Sequence, residues 1–536
     1  MRHGLRHALA VALVCALAAC SGGNGRKGED PNAKVLHVGN TSEPLTLDPH
    51  RASGTWENHI IGDMFMGLVT EDTKANPTPG MATSWTTSAD GLVWTFKLRD
   101  ATWSDGVPVT AQNFVDGFRR ILNPKTAAQY ASILYLIKNA EEVNSGKMPP
   151  ESVGVKAVDD KTVEITLTHP APYLPQLLMH YTTFPLPSHV YAKVGEKWIQ
   201  PENVVTNGAF KLTEWKLGDY VHVKKNPKFW DAANVCMDEI YYYPTVDTNA
   251  AERRIKNGEL DINTDISSNR IAFLRKDPKM KDYVRVHNYL GIFYMVFNTN
   301  KKPFDDPRVR EALSMAMDRE FITDKLLKGG QKPAYSFVPV GTAGLESGAT
   351  VKWATWTMDQ RRAEAKKLLA AAGFGPNNPL RFTLQHRNTA DPRLIMPALQ
   401  SDWKQIGVEA EITAIETQIA YDNLRARNFV VSDAAWIADF NDPASFLYLL
   451  DSRTGPQNYG DYRQPAFDAL IDASNKEPDA AKRSAILRKA EQRVLDDAAV
   501  APLYYYVNKN LVSPKVTGWD DNLVDIHRER FVCFKK

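Results

Sequence analysis

An uncharged apolar run, Ala8 to Ala19, follows a basic stretch containing Arg2, His3, Arg6 and His7, and it ends in Leu17-Ala18-Ala19-Cys20. This is the layout of an export signal, with small residues at the expected cut. The run holds about twelve residues, short of the roughly twenty that span a bilayer as a helix. No later stretch approaches that length or purity, so the rest of the 536-residue chain is expected to fold as a soluble body outside the cytoplasm.

Small residues before Cys20 suggest a lipobox, in which cleavage leaves Cys20 as the new first residue and an acyl-bearing thiol anchors the chain to a membrane. The alternative is an ordinary signal peptide cut elsewhere, with Cys20 incidental. Residues 1–19 are read as signal peptide, and 20–34 as lipidated cysteine plus polar tether. The expected location is the periplasm or cell envelope.

Of four cysteines, Cys15 and Cys20 lie in the export segment, leaving Cys236 and Cys533 for the folded body. An oxidising compartment permits one disulfide between them, although two separate buried thiols fit the sequence as well. Charge is balanced, at 65 basic against 63 acidic residues, and no dense basic block marks a nucleic-acid partner. The absence of a His-Glu-x-x-His helix, a Gly-x-Ser-x-Gly elbow and a phosphate loop argues against an enzyme. Ser401-Asp402-Trp403-Lys404 has bare Ser-x-x-Lys spacing without its companion motifs. The histidines show no paired metal-ligand spacing, and no cofactor is expected.

From Val35 onward short β-rich runs alternate with helical stretches, which predicts a compact α/β body. Val93–Leu98 and Val163–Leu167 alternate with period two, as half-buried strands do. Thr110 to Leu122 reads as a helix capped by Thr110, with Phe114, Phe118 and Ile121 on one face. Asp359 to Ala372 and Pro392 to Ile406 read as helices closed by Gly373 and Gly407, the second followed by a strand from Val408. Trp94, Phe96, Trp103 and Phe114 are expected in the core, Asp105-Gly106 in a tight turn, and Arg308 and Arg310 in solvated ion pairs.

Several ordered blocks carry a resemblance: Glu43-Pro44-Leu45-Thr46-Leu47-Asp48-Pro49, Trp94 to Arg99, Trp103-Ser104-Asp105-Gly106, Asn207-Gly208-Ala209-Phe210, Lys225-Asn226-Pro227 with Phe229-Trp230, and Phe297-Asn298 through Leu313. Together they resemble the extracellular solute-binding proteins of the peptide and nickel transport family, oligopeptide-binding type. The resemblance implies a type II periplasmic-binding-protein fold: two lobes with a hinge, an extra domain, and a ligand cleft between the lobes. It places a discontinuous first lobe at 35–65, 187–290 and 502–536, the extra domain at 66–186 and the second lobe at 291–501. Cys236 and Cys533 then fall in one lobe, which favours the bridge.

By the same resemblance the ligand is a short peptide, handed as an extended strand to the permease subunits of an ABC importer, with the protein acting as a monomer. Asp439, in Trp436-Ile437-Ala438-Asp439-Phe440-Asn441-Asp442-Pro443, matches the aspartate that receives the peptide amino terminus. Its other reading is a turn carboxylate, a role that suits Asp442 better, directly before Pro443. Ala435 and Ile437, with Ser53 and Thr55 opposite, would offer groups to the ligand backbone. Trp436 and Tyr130 are read either as ligand contacts or as core packing. Six residues before Asp439, where an oligopeptide-binding relative has an arginine for the peptide carboxylate, this chain has Asp433. Arg425, Arg427, Arg387 and Arg393 are candidates to replace it. Other ligands of the family remain alternatives: dipeptides, murein peptides, glutathione or nickel chelates, as does a peptide sensor without transport.

Overall fold

The computed structural model describes residues 32–345 and 348–535. The segment read as a signal peptide, 1–19, and Cys20 lie outside the described residues. Among the described residues no helix is long and apolar enough to cross a membrane.

One eleven-stranded mixed sheet runs through the molecule. At one side Val35–Gly39 lies parallel to Glu239–Tyr243 and to Ile262–Asn263. At the other, Leu380–Arg387 lies parallel to Val408–Ile415 and, over two residues, to Val431–Ile437. Two long antiparallel strands join the sides, Val284–Phe297 and Val500–Val512. Their pairing keeps step from Val284 to Asn288, breaks between Asn288 and Ile292, and resumes in the second half. Gly291 sits at the break, where an added Cβ would meet Ile437 Cδ1 at 2.4 Å.

The local rules of the sequence account for most elements. Val93–Leu98 pairs antiparallel with Thr162–Thr166 inside a separate four-stranded sheet, and Trp94, Phe96, Trp103 and Phe114 are buried. The helix Ala111–Leu122 begins after Thr110, whose N–H donates to Asn113 Oδ1 at 3.0 Å. Gly373 and Gly407 take the left-handed φ values of 90° and 83° that end the helices Met358–Ala371 and Ala390–Lys404.

One expectation needs correction and one needs extending. Arg308 does pair with Asp306 at 2.6 Å near the surface. Arg310 is 5% exposed and donates instead to the carbonyls of Phe304 and Ala498, at 2.8 and 2.9 Å. Burial there is tolerated because the guanidinium finds acceptors on several loops at once. Asp442 accepts from Ala444 N–H at 2.9 Å, yet both its oxygens are also held by Arg483, at 2.7 and 2.8 Å. It closes the turn as expected and also holds an ion pair.

The apolar interior divides unevenly. One core unites Leu36, Ile60 and Val223 with Phe96, Phe114 and Ile165, so the 66–186 segment shares its interior with the first part of the chain. Two of three further cores, around Phe293 with Trp403 and around Tyr294 with Phe446, lie on opposite faces of the second half of the sheet, and a small third gathers around Ile255 and Leu274. Phe440 crosses from the second half into the first core, stacking on Tyr173 with centroids 4.8 Å apart, and Ala444 packs against the same core. Cys236 and Cys533 form a disulfide, with Cα atoms 5.3 Å apart.

Candidate functional site

Where the Val431–Ile437 strand ends, the chain lines a cleft of about 640 Å³. This strand pairs with Val284–Phe297 over its whole length, but with Leu380–Arg387 only at Val431 and Ser432. Alternate residues of a strand aim their N–H and C=O at opposite edges. Ala438 N–H donates to Leu290 O, and Asn298 N–H to Val430 O. Even-numbered residues therefore serve the paired edge, and the N–H and C=O of Ala435 and Ile437 point at the open one. Both residues line the cleft.

Asp439 stands two residues beyond that edge. Its Oδ1 accepts from Tyr130 Oη at 2.8 Å, and its N–H donates to Ser445 Oγ at 3.0 Å. No basic side chain is paired with it among the described residues. Burial without a cation pushes its carboxyl up to about 7, against a smaller lowering from the Tyr130 hydrogen bond. Tyr130 is pushed up as well, by burial first and then by Asp439. His180 stacks on Tyr130 at 5.5 Å between centroids, and burial lowers its imidazole to about 3, so it adds no charge. The result is a deep carboxylate lacking a counter-ion.

Ser53 and Thr55 flank Gly54 at the start of the helix Thr55–Met64 and line the same cleft. Trp436 does too, its ring edge-on to Tyr448 at 5.8 Å. A second cavity, of about 210 Å³, opens beyond and shares Tyr130, Trp436, Asp439 and Gln457 with the cleft. Tyr130 and Trp436 thus border open space as well as packing on their neighbours.

The arginine candidates separate. Arg387 and Arg425 line the cleft. Arg425 is 45% exposed and bonds Asp422 at 3.1 Å. Arg393 does not line it: it is exposed, with Nε donating to Asn388 Oδ1 at 2.7 Å. Arg427 pairs with Asp461 at 3.0 Å, away from the cleft. Asp433 is fully buried beneath Arg387. Sequence reasoning missed the tyrosines of the cleft wall, Tyr289, Tyr421, Tyr459 and Tyr506. The Tyr504-Tyr505-Tyr506 run was a visible hint, since alternation sends Tyr504 and Tyr506 to one face and Tyr505 to the other. Among the described residues no cluster of three or more His, Cys, Asp or Glu could hold a metal ion.

Residues 76–458 match the model for bacterial extracellular solute-binding proteins, family 5 Middle. The chain belongs to this family. Its similarity to the periplasmic oligopeptide-binding protein OppA of Escherichia coli strain K12 is 39% identity over 490 residues, 91% of this chain and 90% of that one. With the periplasmic murein peptide-binding protein MppA of the same organism it is 35% identical over 530 residues, 97% of each. The solved structure of Escherichia coli MppA covers 94% of this chain and 99% of its own, with a TM-score of 0.84. Haemophilus influenzae OppA in complex with the peptide RPPGFSPFR covers the same shares at 32% identity, with a TM-score of 0.83. The fold of this family 5 member is therefore the type II periplasmic-binding fold.

Proposed function

We propose that this chain captures short peptides in an extended conformation and delivers them to the permease subunits of an ABC importer. One observation carries the reading: an unpaired strand edge, Ala435 to Ile437, ends at a buried carboxylate that has no counter-ion. An extended peptide added to that edge satisfies the free backbone groups regardless of its side chains. Its ammonium supplies the charge that Asp439 lacks. Ser53 and Thr55 meet it from the other wall, and Tyr130 and Trp436 border its first side chain. The relatives named for oligopeptides and murein peptides support the same ligand class.

In this reading 35–65, 187–290 and 502–536 form one lobe, 291–501 the other, and 66–186 the extra domain. The hinge is the register break at Asn288 to Ile292, where both long strands cross. Ligand favours closure through its greater affinity for the closed state. The protein works as a monomer, held at the envelope by acylated Cys20, and needs no cofactor.

The test is native mass spectrometry of protein purified from its own host, with release and sequencing of the bound species, beside an Asp439→Ala variant. Peptides of about two to five residues, present in the native protein and lost in the variant, support the reading, since an edge of this length pairs with about that many residues. A metal chelate retained by the variant overturns it.

A further inference from the structure

The end of the sheet opposite the cleft is basic. The strand Val35–Gly39 runs from Lys34 toward Thr41, and Thr41 lines the cleft. Around Lys34, at the strand's other end, three further segments close up. Lys34 N–H donates to Asp238 Oδ2 at 2.8 Å, and Asp238 N–H returns a bond to Lys34 O at 2.9 Å. Lys225 N–H donates to Asp238 O, and Asn226 N–H to Ala209 O, each at 2.8 Å. The Cys236–Cys533 bond draws in the end of the chain, where Lys535 N–H donates to Lys515 O at 2.7 Å.

Residues 32–35, 206–211, 224–239, 513–518 and 532–535 together carry seven lysines against three acids, Asp231, Asp238 and Glu239, in a chain whose whole net charge is +2. Lys224 is matched by Glu239 at 2.8 Å, and Lys225 Nζ donates to Val235 O at 2.7 Å. Lys34, Lys228, Lys515 and Lys535 are exposed, and their ammonium groups have no partner among the described residues. The tether joins the body at the same place. Fourteen residues separate Cys20 from Lys34, a reach of at most about 50 Å. An acylated Cys20 keeps the four free cations within that reach of lipid phosphates, which are the anions complementary to them.

Resting on the lipid-anchor reading of Cys20, we infer that Lys34, Lys228, Lys515 and Lys535 dock the body reversibly on anionic lipid headgroups, with the cleft turned away from the membrane. Each lysine near an anionic surface strengthens attachment about fivefold, so four give a dissociation constant in the millimolar range. A short tether supplies an effective concentration of the same order. The body therefore spends part of its time docked and part lifted. Docked, it opens its cleft toward peptides in solution; only when lifted can it turn that cleft toward a permease in the same membrane.

A brief pulse of lysine acetylation tests this, read by mass spectrometry on the full chain purified from its host and reconstituted on vesicles of phosphatidylcholine, alone or with about one third phosphatidylglycerol. Lys34, Lys228, Lys515 and Lys535 are expected to react about twofold or more slowly on the anionic vesicles. Lys366, exposed on the helix Met358–Ala371 of the second half, should react at one rate on both. High salt should remove the difference. In the variant Lys228→Glu with Lys515→Glu and Lys535→Glu, the slowing at Lys34 should be lost while peptide still binds, because none of these residues lines the cleft. Equal rates on the two vesicles, slowing that persists in the variant, or the same slowing on neutral vesicles with inorganic phosphate added overturns the inference; an acyl mass on Cys20 then leaves the anchor reading standing. A chain that lacks this mass and stays free of both vesicles overturns both.

Discussion

The hydroxyl of Tyr130 donates to the carboxylate of Asp439 at 2.8 Å across 309 residues of sequence. That contact joins the 66–186 segment to the loop after the open strand edge, and it is the only hydrogen bond to the Asp439 carboxylate among the described residues. A neutral donor steadies the group without neutralising it, so the site stays poised for a cation.

The first consequence concerns pH. Folding raises the Asp439 carboxyl from the ordinary range to about 7, so between about pH 4 and 7 the folded state keeps a proton that the unfolded chain releases. Asp439 therefore costs the empty protein stability as pH rises through that window. Asp439→Asn is expected to stabilise the ligand-free protein at pH 8 by about 2–4 kcal/mol, with little effect near pH 4. The same variant should lose most peptide affinity. In the native protein, affinity should rise from pH 5 to 7 and binding should release protons; calorimetry in buffers of different ionisation enthalpy measures both.

Arg483 grips Asp442 with two hydrogen bonds, at 2.7 and 2.8 Å, and both side chains are largely buried. Removing one partner leaves a buried charge uncompensated. Arg483→Met is expected to cost about 3–5 kcal/mol in denaturant unfolding, whereas Arg308→Ala, at an exposed pair, should cost less than about 1 kcal/mol. Because Asp442 anchors the loop that carries Asp439, Arg483→Met should also weaken peptide binding.

Phe440 stacks on Tyr173 at 4.8 Å with ring planes 2° apart, bridging the two halves beside the cleft. Such pairs are worth about 0.5–1.5 kcal/mol beyond their burial. Phe440→Ala is expected to lower peptide affinity about two- to tenfold by favouring the open form. Small-angle scattering should show a larger radius of gyration for the ligand-free variant than for the ligand-free native protein.

The disulfide closes a long loop, its cysteines 297 residues apart. In the chain-entropy model a loop of that length contributes roughly 6 kcal/mol, although measured values often fall short of the model. Cys236→Ser with Cys533→Ser is expected to lower Tm by several degrees, as is dithiothreitol on the native protein. Peptide affinity at 25 °C should change little, because neither cysteine lines the cleft.

What the sequence reveals depends on the range of the interaction. Val93–Leu98 and the helix after Thr110 follow from period and capping, which are local, and the structure has both. Asp439 could be singled out by resemblance, because the motif around it is contiguous. The Arg387–Asp433 pair could not be singled out from four arginine candidates: it joins neighbouring parallel strands 46 residues apart, whose register is set by the crossover between them. Arg393 lies off the cleft for a rotational reason. It sits in a helix whose buried face runs through Ile395, Met396, Leu399 and Trp403, and its own position turns outward. Arg310 escaped because the expectation for an arginine is solvent, and only the surrounding carbonyls show why this one is inside.

The Cys236–Cys533 bond also changes the topology of the covalent chain. Both crossings between the halves, Val284–Phe297 and Val500–Val512, lie between the two cysteines, so the whole second half belongs to a closed covalent ring. A protease that nicks the ring once, at any exposed loop between the cysteines, opens it without releasing a fragment. The nicked molecule keeps its two pieces tethered through the sulfur bridge until the bridge is reduced or the ring is cut again. A single cut therefore need not separate the parts that form the cleft.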